Sequence, residues 1–120
     1  MKTALIVEDL RSDMEALSSC LTDGGFSVIR ASSSEEASSI LERLTPDVIL
    51  LDVVLPGRSG FELCRDLKAE DKTRRIPIVL CSSKNTEMDK FWGMKQGADA
   101  YLTKPLDRDE VLRTLQHVLR

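Results

Sequence analysis

Three carboxylates, a hydroxyl and an amine stand just beyond short apolar runs in this sequence. Leu5-Ile6-Val7 leads into Glu8-Asp9, and Val48-Ile49-Leu50-Leu51 into Asp52. Ile78-Val79-Leu80-Cys81 leads into Ser82-Ser83, and Tyr101-Leu102-Thr103 into Lys104-Pro105. If the runs are parallel strands, their C-termini share one sheet edge and these side chains converge. Gathered carboxylates repel, since unit charges about 4 Å apart interact by about 4 kcal/mol at an effective dielectric near 20. A carboxylate taken from water without a partner also costs on the order of several kcal/mol. A shared cation relieves both, and hard oxygen ligands that leave waters in place suit Mg²⁺, which binds through carboxylates and phosphate oxygens. The spacing therefore predicts an acidic Mg²⁺ pocket. Asp52 is its most enclosed member, because Val53-Val54-Leu55 continues the apolar run beyond it. Taken singly, each acid also fits a turn or helix cap, and Glu8-Asp9 could simply lead into a helix.

The elements that must position these residues alternate along the chain. Apolar, β-branched stretches at Ala4–Val7, Phe26–Ala31, Val48–Leu51, Ile76–Cys81 and Ala98–Leu102 read as strands buried on both faces. Between them, helical spacing joins Met14, Leu17 and Leu21; Ala37, Ile40, Leu41 and Leu44; Phe61, Cys64 and Leu67; and Val111, Leu112, Leu115 and Leu119. Helix starts carry the capping-box offset at Ser12/Glu15, Ser33/Glu36 and Ser59/Glu62, with looser versions at Thr86/Asp89 and Asp107/Glu110. The pattern is α/β: a doubly wound, flavodoxin-like (βα)₅ unit with a five-stranded parallel sheet of order 2-1-3-4-5 and helices on both faces. Its topological switch lies between the first and third strands, where a ligand crevice opens.

At 120 residues the chain is read as one domain, 1–120, with no room for an appended output module. Its net charge of −3 is opposite to the basic footprint of nucleic-acid binders. No apolar stretch approaches the roughly 20 residues of a membrane span, and the N-terminus lacks a signal-peptide core. Cys20, Cys64 and Cys81 show no metal-ligand spacing and suit reduced thiols in a cytoplasmic protein. His117 is the only histidine, which removes His-rich metal sites and most His-dependent triads.

Glu8-Asp9, Asp52, Ser82 and Lys104-Pro105, each placed after its strand, resemble the receiver domain of two-component response regulators across the whole chain. The resemblance implies that Asp52 accepts a phosphoryl group from a phosphohistidine on a partner histidine kinase or phosphotransfer domain. It implies direct Mg²⁺ coordination by Asp9, Asp52 and the Val54 backbone carbonyl, with Glu8 acting largely through water. Lys104 would pair with the phosphoryl oxygens, Ser82 would donate to one of them, and the Lys104-Pro105 bond would be cis. Such a protein is a phosphoacceptor that assists its own phosphorylation and dephosphorylation, not an enzyme acting on other molecules. The chemistry fits independently: phosphoryl transfer is mostly positioning and electrostatic stabilisation, and a carboxylate nucleophile needs no general base.

The same resemblance implies an output switch in Ser82 and Tyr101, read by a downstream protein on the face of the fourth helix, fifth strand and fifth helix. Tyr101 alone also fits an ordinary edge-strand aromatic. In the fourth helix, Gly93 fits either close packing or a deliberately soft helix that presents Phe91-Trp92 to a partner. The stretch from Ser83-Lys84 to Gly97-Ala98 looks like the small regulators of type IV pilus twitching and chemotaxis-like systems. The chain is expected to be a monomer or weak homodimer. Glu8 replaces the commoner Asp, Ser82 the commoner Thr, and Val54 and Lys84 flank the path of attacking water, so the lifetime of the phosphorylated form is open. Three other classes compete. An aspartyl-phosphate phosphatase would carry Asp-x-Asp, where this chain has Asp52-Val53-Val54. A flavin domain would need a phosphate-cradling loop where Glu8 and Asp9 stand. A degenerate receiver would act only as an interaction module.

Overall fold

The apolar runs pair as expected, and the side chains alternate across the sheet. The computed structural model describes residues 1–120. In chain order the elements are β1 (Thr3–Val7), α1 (Arg11–Asp23), β2 (Ser27–Ala31), α2 (Ser34–Leu41), β3 (Val48–Asp52), α3 (Gly60–Ala69), β4 (Ile78–Ser82), α4 (Glu87–Lys95), β5 (Ala100–Thr103) and α5 (Arg108–Val118). The strands form one parallel sheet of order β2-β1-β3-β4-β5. Strand periodicity sends successive residues to opposite faces, and two cores result. Leu5, Val7, Ile49, Leu51, Ile78 and Leu80 pack against Ala37, Leu41, Leu63, Cys64 and Leu67 of α2 and α3. Ala4, Ile6, Val48, Leu50, Val79, Cys81 and Leu102 pack against Met14, Leu17, Cys20 and Leu21 of α1 and Val111 and Leu115 of α5.

Burial on both faces holds only for the three central strands. β2 and β5 lie at the sheet edges, and most of their residues are half-buried or exposed. Leu44, read as part of the second helical stripe, lies beyond the end of α2 and is about half exposed. The helix starts divide similarly. Ser59 of α3 and Thr86 of α4 make full capping boxes with Glu62 and Asp89. Ser33 and Asp107 accept from the N–H groups of Glu36 and Glu110, but the Glu36 carboxylate turns to the N–H of Ser32 instead. Ser12 caps nothing. The Met14 N–H already bonds the Leu10 carbonyl at 2.9 Å, so α1 begins at Arg11 and Ser12 lies inside its first turn.

Three strands, β3, β4 and β5, end one residue further than their apolar runs. Asp52 is the last residue of β3, in register with Cys81, and Ser82 is the last of β4, in register with Thr103. Ladder bonding continues past these ends: Glu8 N–H donates to Ala31 O at 3.0 Å, Val53 N–H to Cys81 O at 3.2 Å and Lys104 N–H to Ser82 O at 2.9 Å. The backbone that carries the site is therefore pinned by the sheet. No helix is long and apolar enough to cross a membrane.

Candidate functional site

Alternation along the strands decides which predicted residues meet. Glu8 continues the parity of Ala4 and Ile6, Asp52 that of Val48 and Leu50, and Lys104 that of Leu102, all on the side covered by α1 and α5. The three converge there. Lys104 Nζ lies 2.6 Å from Glu8 Oε1 and 3.5 Å from Asp52 Oδ2. Glu8 and Asp52 are buried, whereas Asp9 is exposed at the rim. Asp52 Oδ1 accepts weakly from the Val54 N–H at 3.4 Å.

Oxygens of Glu8, Asp9 and Asp52 all lie within 4.8 Å of one another. An octahedral Mg²⁺ with bonds of about 2.0–2.1 Å spans its ligands by roughly 3–4 Å, so groups at this spacing match the scale of one ion's ligands and bound waters. The electrostatics favour a cation. Burial, a hydrogen bond shared with Glu8 and the Glu8 charge push the Asp52 carboxyl up to about 7 against the pull of Lys104 and the Val54 N–H. Burial opposes the Lys104 charge, but hydrogen bonds to Asp13 and Glu8 and the Asp52 and Glu8 charges outweigh it and hold the ammonium above its ordinary value. One lysine thus serves more negative charge than it can neutralise, and an all-oxygen donor set with that surplus fits Mg²⁺.

Ser82 stands apart. It follows the parity of Ile78 and Leu80 toward the other face, its hydroxyl accepts from the Lys84 N–H at 3.1 Å, and only its backbone carbonyl, not its hydroxyl, is bonded to Lys104. Tyr101 is half-buried against that core, and its hydroxyl donates to the Lys84 carbonyl at 2.7 Å. The two expected switch residues are therefore tied to one loop residue between β4 and α4. The Lys104-Pro105 bond is cis.

Gly93 is the one buried residue of α4. A Cβ built there would come within 2.8 Å of Tyr101 Cδ2 and 2.9 Å of Leu80 Cδ1, so the glycine lets the helix rest on the Tyr101 ring. The remaining apolar residues of α4 face outward, with Met88 72%, Phe91 58%, Trp92 50% and Met94 47% exposed. Gly93→Ala separates close packing from softness. Ala favours a helix interior by about 0.8–1.0 kcal/mol over Gly, whereas overpacking costs about 1–3 kcal/mol. A thermal melt should show a net loss of about 1 kcal/mol; a gain of that size would mean that the glycine serves softness.

Two site residues escaped the sequence. Asp13 Oδ2 accepts from Lys104 Nζ at 2.8 Å; its only signal was an acid one turn ahead of the inward-facing Leu17. Gly60, the first residue of α3, donates its N–H to Val53 O at 2.8 Å. A Cβ there would collide with the Asp52 carbonyl oxygen and lie 2.8 Å from Val53 Cα. Beside Lys104, a groove of about 350 Å³ opens between α1 and α5, lined in part by Asp13, Leu17, Cys20, Leu106 and Val111. The three thiols are buried, and burial pushes Cys64 up to about 11 and Cys81 up to about 12, which leaves both protonated and inert.

Comparison with known proteins agrees with this geometry. Residues 4–116 match the model of the response regulator receiver domain. The chain is 38% identical over 119 residues to protein PilH of Pseudomonas aeruginosa, covering 99% of this chain and 98% of PilH. A putative response regulator from Chloroflexus aurantiacus superposes with a TM-score of 0.95 at 33% identity, covering 98% of this chain and 97% of that one. The receiver domain of the sensor histidine kinase PA1611 from Pseudomonas aeruginosa, solved with a magnesium ion in its active-site cleft, superposes with a TM-score of 0.91 at 29% identity, covering 98% of this chain and 97% of that one.

Proposed function

The chain belongs to the response regulator receiver domain family of two-component signalling, and on that premise we propose that Asp52 is its phosphoacceptor. One observation carries the assignment: Asp52 is the buried carboxylate that faces both the Lys104 ammonium and the Glu8-Asp9 pair. An Asp52 oxygen attacks the phosphorus of a phosphohistidine on a partner kinase or phosphotransfer domain. The P–N bond breaks, its electron pair returns to the imidazole, and an acyl phosphate remains on Asp52. Water later attacks phosphorus and releases inorganic phosphate, restoring the carboxylate.

Asp9, Asp52 and the Val54 carbonyl would hold Mg²⁺, with Glu8 acting through water, and the ion supplies positive charge to the phosphoryl oxygens as charge develops on them. Lys104 adds its own positive charge from the α1/α5 side. Ser82 would turn its hydroxyl to donate to a phosphoryl oxygen, giving up the bond it accepts from the Lys84 N–H. That exchange frees the loop residue to which Tyr101 is also bonded, and so couples the site to the face of α4, β5 and α5. The exposed Phe91 and Trp92 on that face suit a downstream protein target. The likeness to PilH supports a place in motility control.

Incubating the protein with acetyl phosphate and Mg²⁺ should add one phosphoryl group by intact mass, and Asp52→Asn should add none. Equal labelling of the variant would refute the assignment. An unlabelled wild type would favour an interaction module that works without phosphorylation.

A further inference from the structure

The Lys104 ammonium is shared with a carboxylate that has no part in the chemistry above. Its Nζ lies 2.8 Å from Asp13 Oδ2 and 2.6 Å from Glu8 Oε1, but 3.5 Å from Asp52 Oδ2. An ammonium has three N–H donors. With two directed at Glu8 and Asp13, only one remains for Asp52, at a length beyond a normal hydrogen bond. The Asp13 side chain is 36% exposed, against 1% for Glu8 and 6% for Asp52. Water can solvate Asp13, so its pairing with Lys104 is not forced by burial as that of Glu8 is. Asp13 also sits on α1, whereas the other three groups sit at strand ends.

We infer that Asp13 is a positioning residue that holds the Lys104 ammonium back from Asp52 and thereby lowers the stability of the phosphorylated state. The inference rests on the assignment of Asp52 as phosphoacceptor. A phosphoryl group brings a charge of about −1.5 to −2 to a pocket whose one lysine is already divided among carboxylates. Lys104 stabilises that charge only as far as it turns from Asp13, and the Asp13 charge itself opposes the new anion. Both effects act in one direction. Conversion to Asn keeps an oxygen acceptor but removes the charge, so the hold on Lys104 weakens and the repulsion disappears.

The test compares full-length wild type, Asp13→Asn and Asp13→Glu with acetyl phosphate and Mg²⁺. The readouts are the steady-state phosphorylated fraction by intact mass and the decay of the phosphoryl group after acetyl phosphate is removed. Asp13→Asn should raise the ratio of phosphorylated to unphosphorylated protein about fivefold, the scale of a partly exposed charge pair, with part of the gain appearing as slower decay. Asp13→Glu keeps the charge and should return both readouts toward wild type, a rescue that a packing role would not produce. A wild type that labels while Asp13→Asn labels equally or less overturns this inference and leaves Asp52 in place. Asp13→Glu behaving like Asp13→Asn overturns it as well. A wild type that does not label removes the Asp52 assignment and this inference together.

Discussion

Asp52→Asn should raise the melting temperature of the metal-free protein by about 8 °C at pH 8 and by little at pH 4. The reason is linkage between protonation and folding. The folded protein holds the Asp52 carboxyl at about 7 instead of the ordinary 3.8, first through burial and then through the hydrogen bond and charge of Glu8. A carboxyl raised in the folded state binds its proton more tightly there than in the unfolded chain. Its contribution to stability is therefore fully present below pH 3.8, declines between 3.8 and about 7, and is lost above that. Each pKa unit is worth about 1.4 kcal/mol, and coupling to Glu8 and relaxation of the pocket reduce the full shift to about 2 kcal/mol at pH 8. For a domain of this size about 1 kcal/mol moves the melting temperature by roughly 4 °C. Mg²⁺ should act in parallel, stabilising wild type more at pH 8 than at pH 5 and stabilising Asp52→Asn less than wild type. Thermal melts across pH 4–8 decide the matter; a variant advantage that stays flat with pH would show that Asp52 carries no such strain.

Gly60→Ala should be the most damaging single-methyl change in the molecule. The added carbon meets backbone, the Asp52 carbonyl oxygen and Val53 Cα, and no rotamer change can move those atoms aside. The same backbone is pinned from both sides, by Gly60 N–H on Val53 O and by Val53 N–H on Cys81 O. Relief therefore requires α3 to lift away or the end of β3 to shift, and either moves the carboxylate and the Val54 carbonyl proposed as ligands. A stability loss of about 3 kcal/mol, the upper end for overpacking, should lower the melting temperature by roughly 12 °C. Labelling by acetyl phosphate should fall by about 10-fold or more, because misplacing a reacting group by about 1 Å can cost on the order of 100-fold in rate. A variant that melts and labels like wild type would show that the loop after β3 has slack the structure does not display.

The site was legible in the sequence wherever it depended on strand ends. Glu8, Asp52 and Lys104 were each found by the apolar run before them, and the sheet order and strand alternation bring them together as expected. Four of the five helix-start signals mark true caps, because a cap is made within a few residues of itself. The Ser12 signal failed because α1 starts without a side-chain cap, and the same motif then falls inside the helix. Ser82 shows the limit of counting residues from strand ends: it was read as part of one rim, yet alternation along β4 directs it toward Tyr101 and the loop at Lys84.

By itself the sequence determined the alternation of elements, the sheet order they imply, and the three strand-end groups Glu8, Asp52 and Lys104. Those follow from local periodicity, which is written in neighbouring residues. Only the tertiary structure decided that Asp13, 91 residues from Lys104, takes one of its N–H groups. The same holds for Gly60, which must be bare because α3 starts against the Asp52 backbone, and for Gly93, which serves packing against Tyr101. These facts depend on how close a helix comes to the sheet and how far a side chain reaches across the gap. No spacing along the chain encodes either distance.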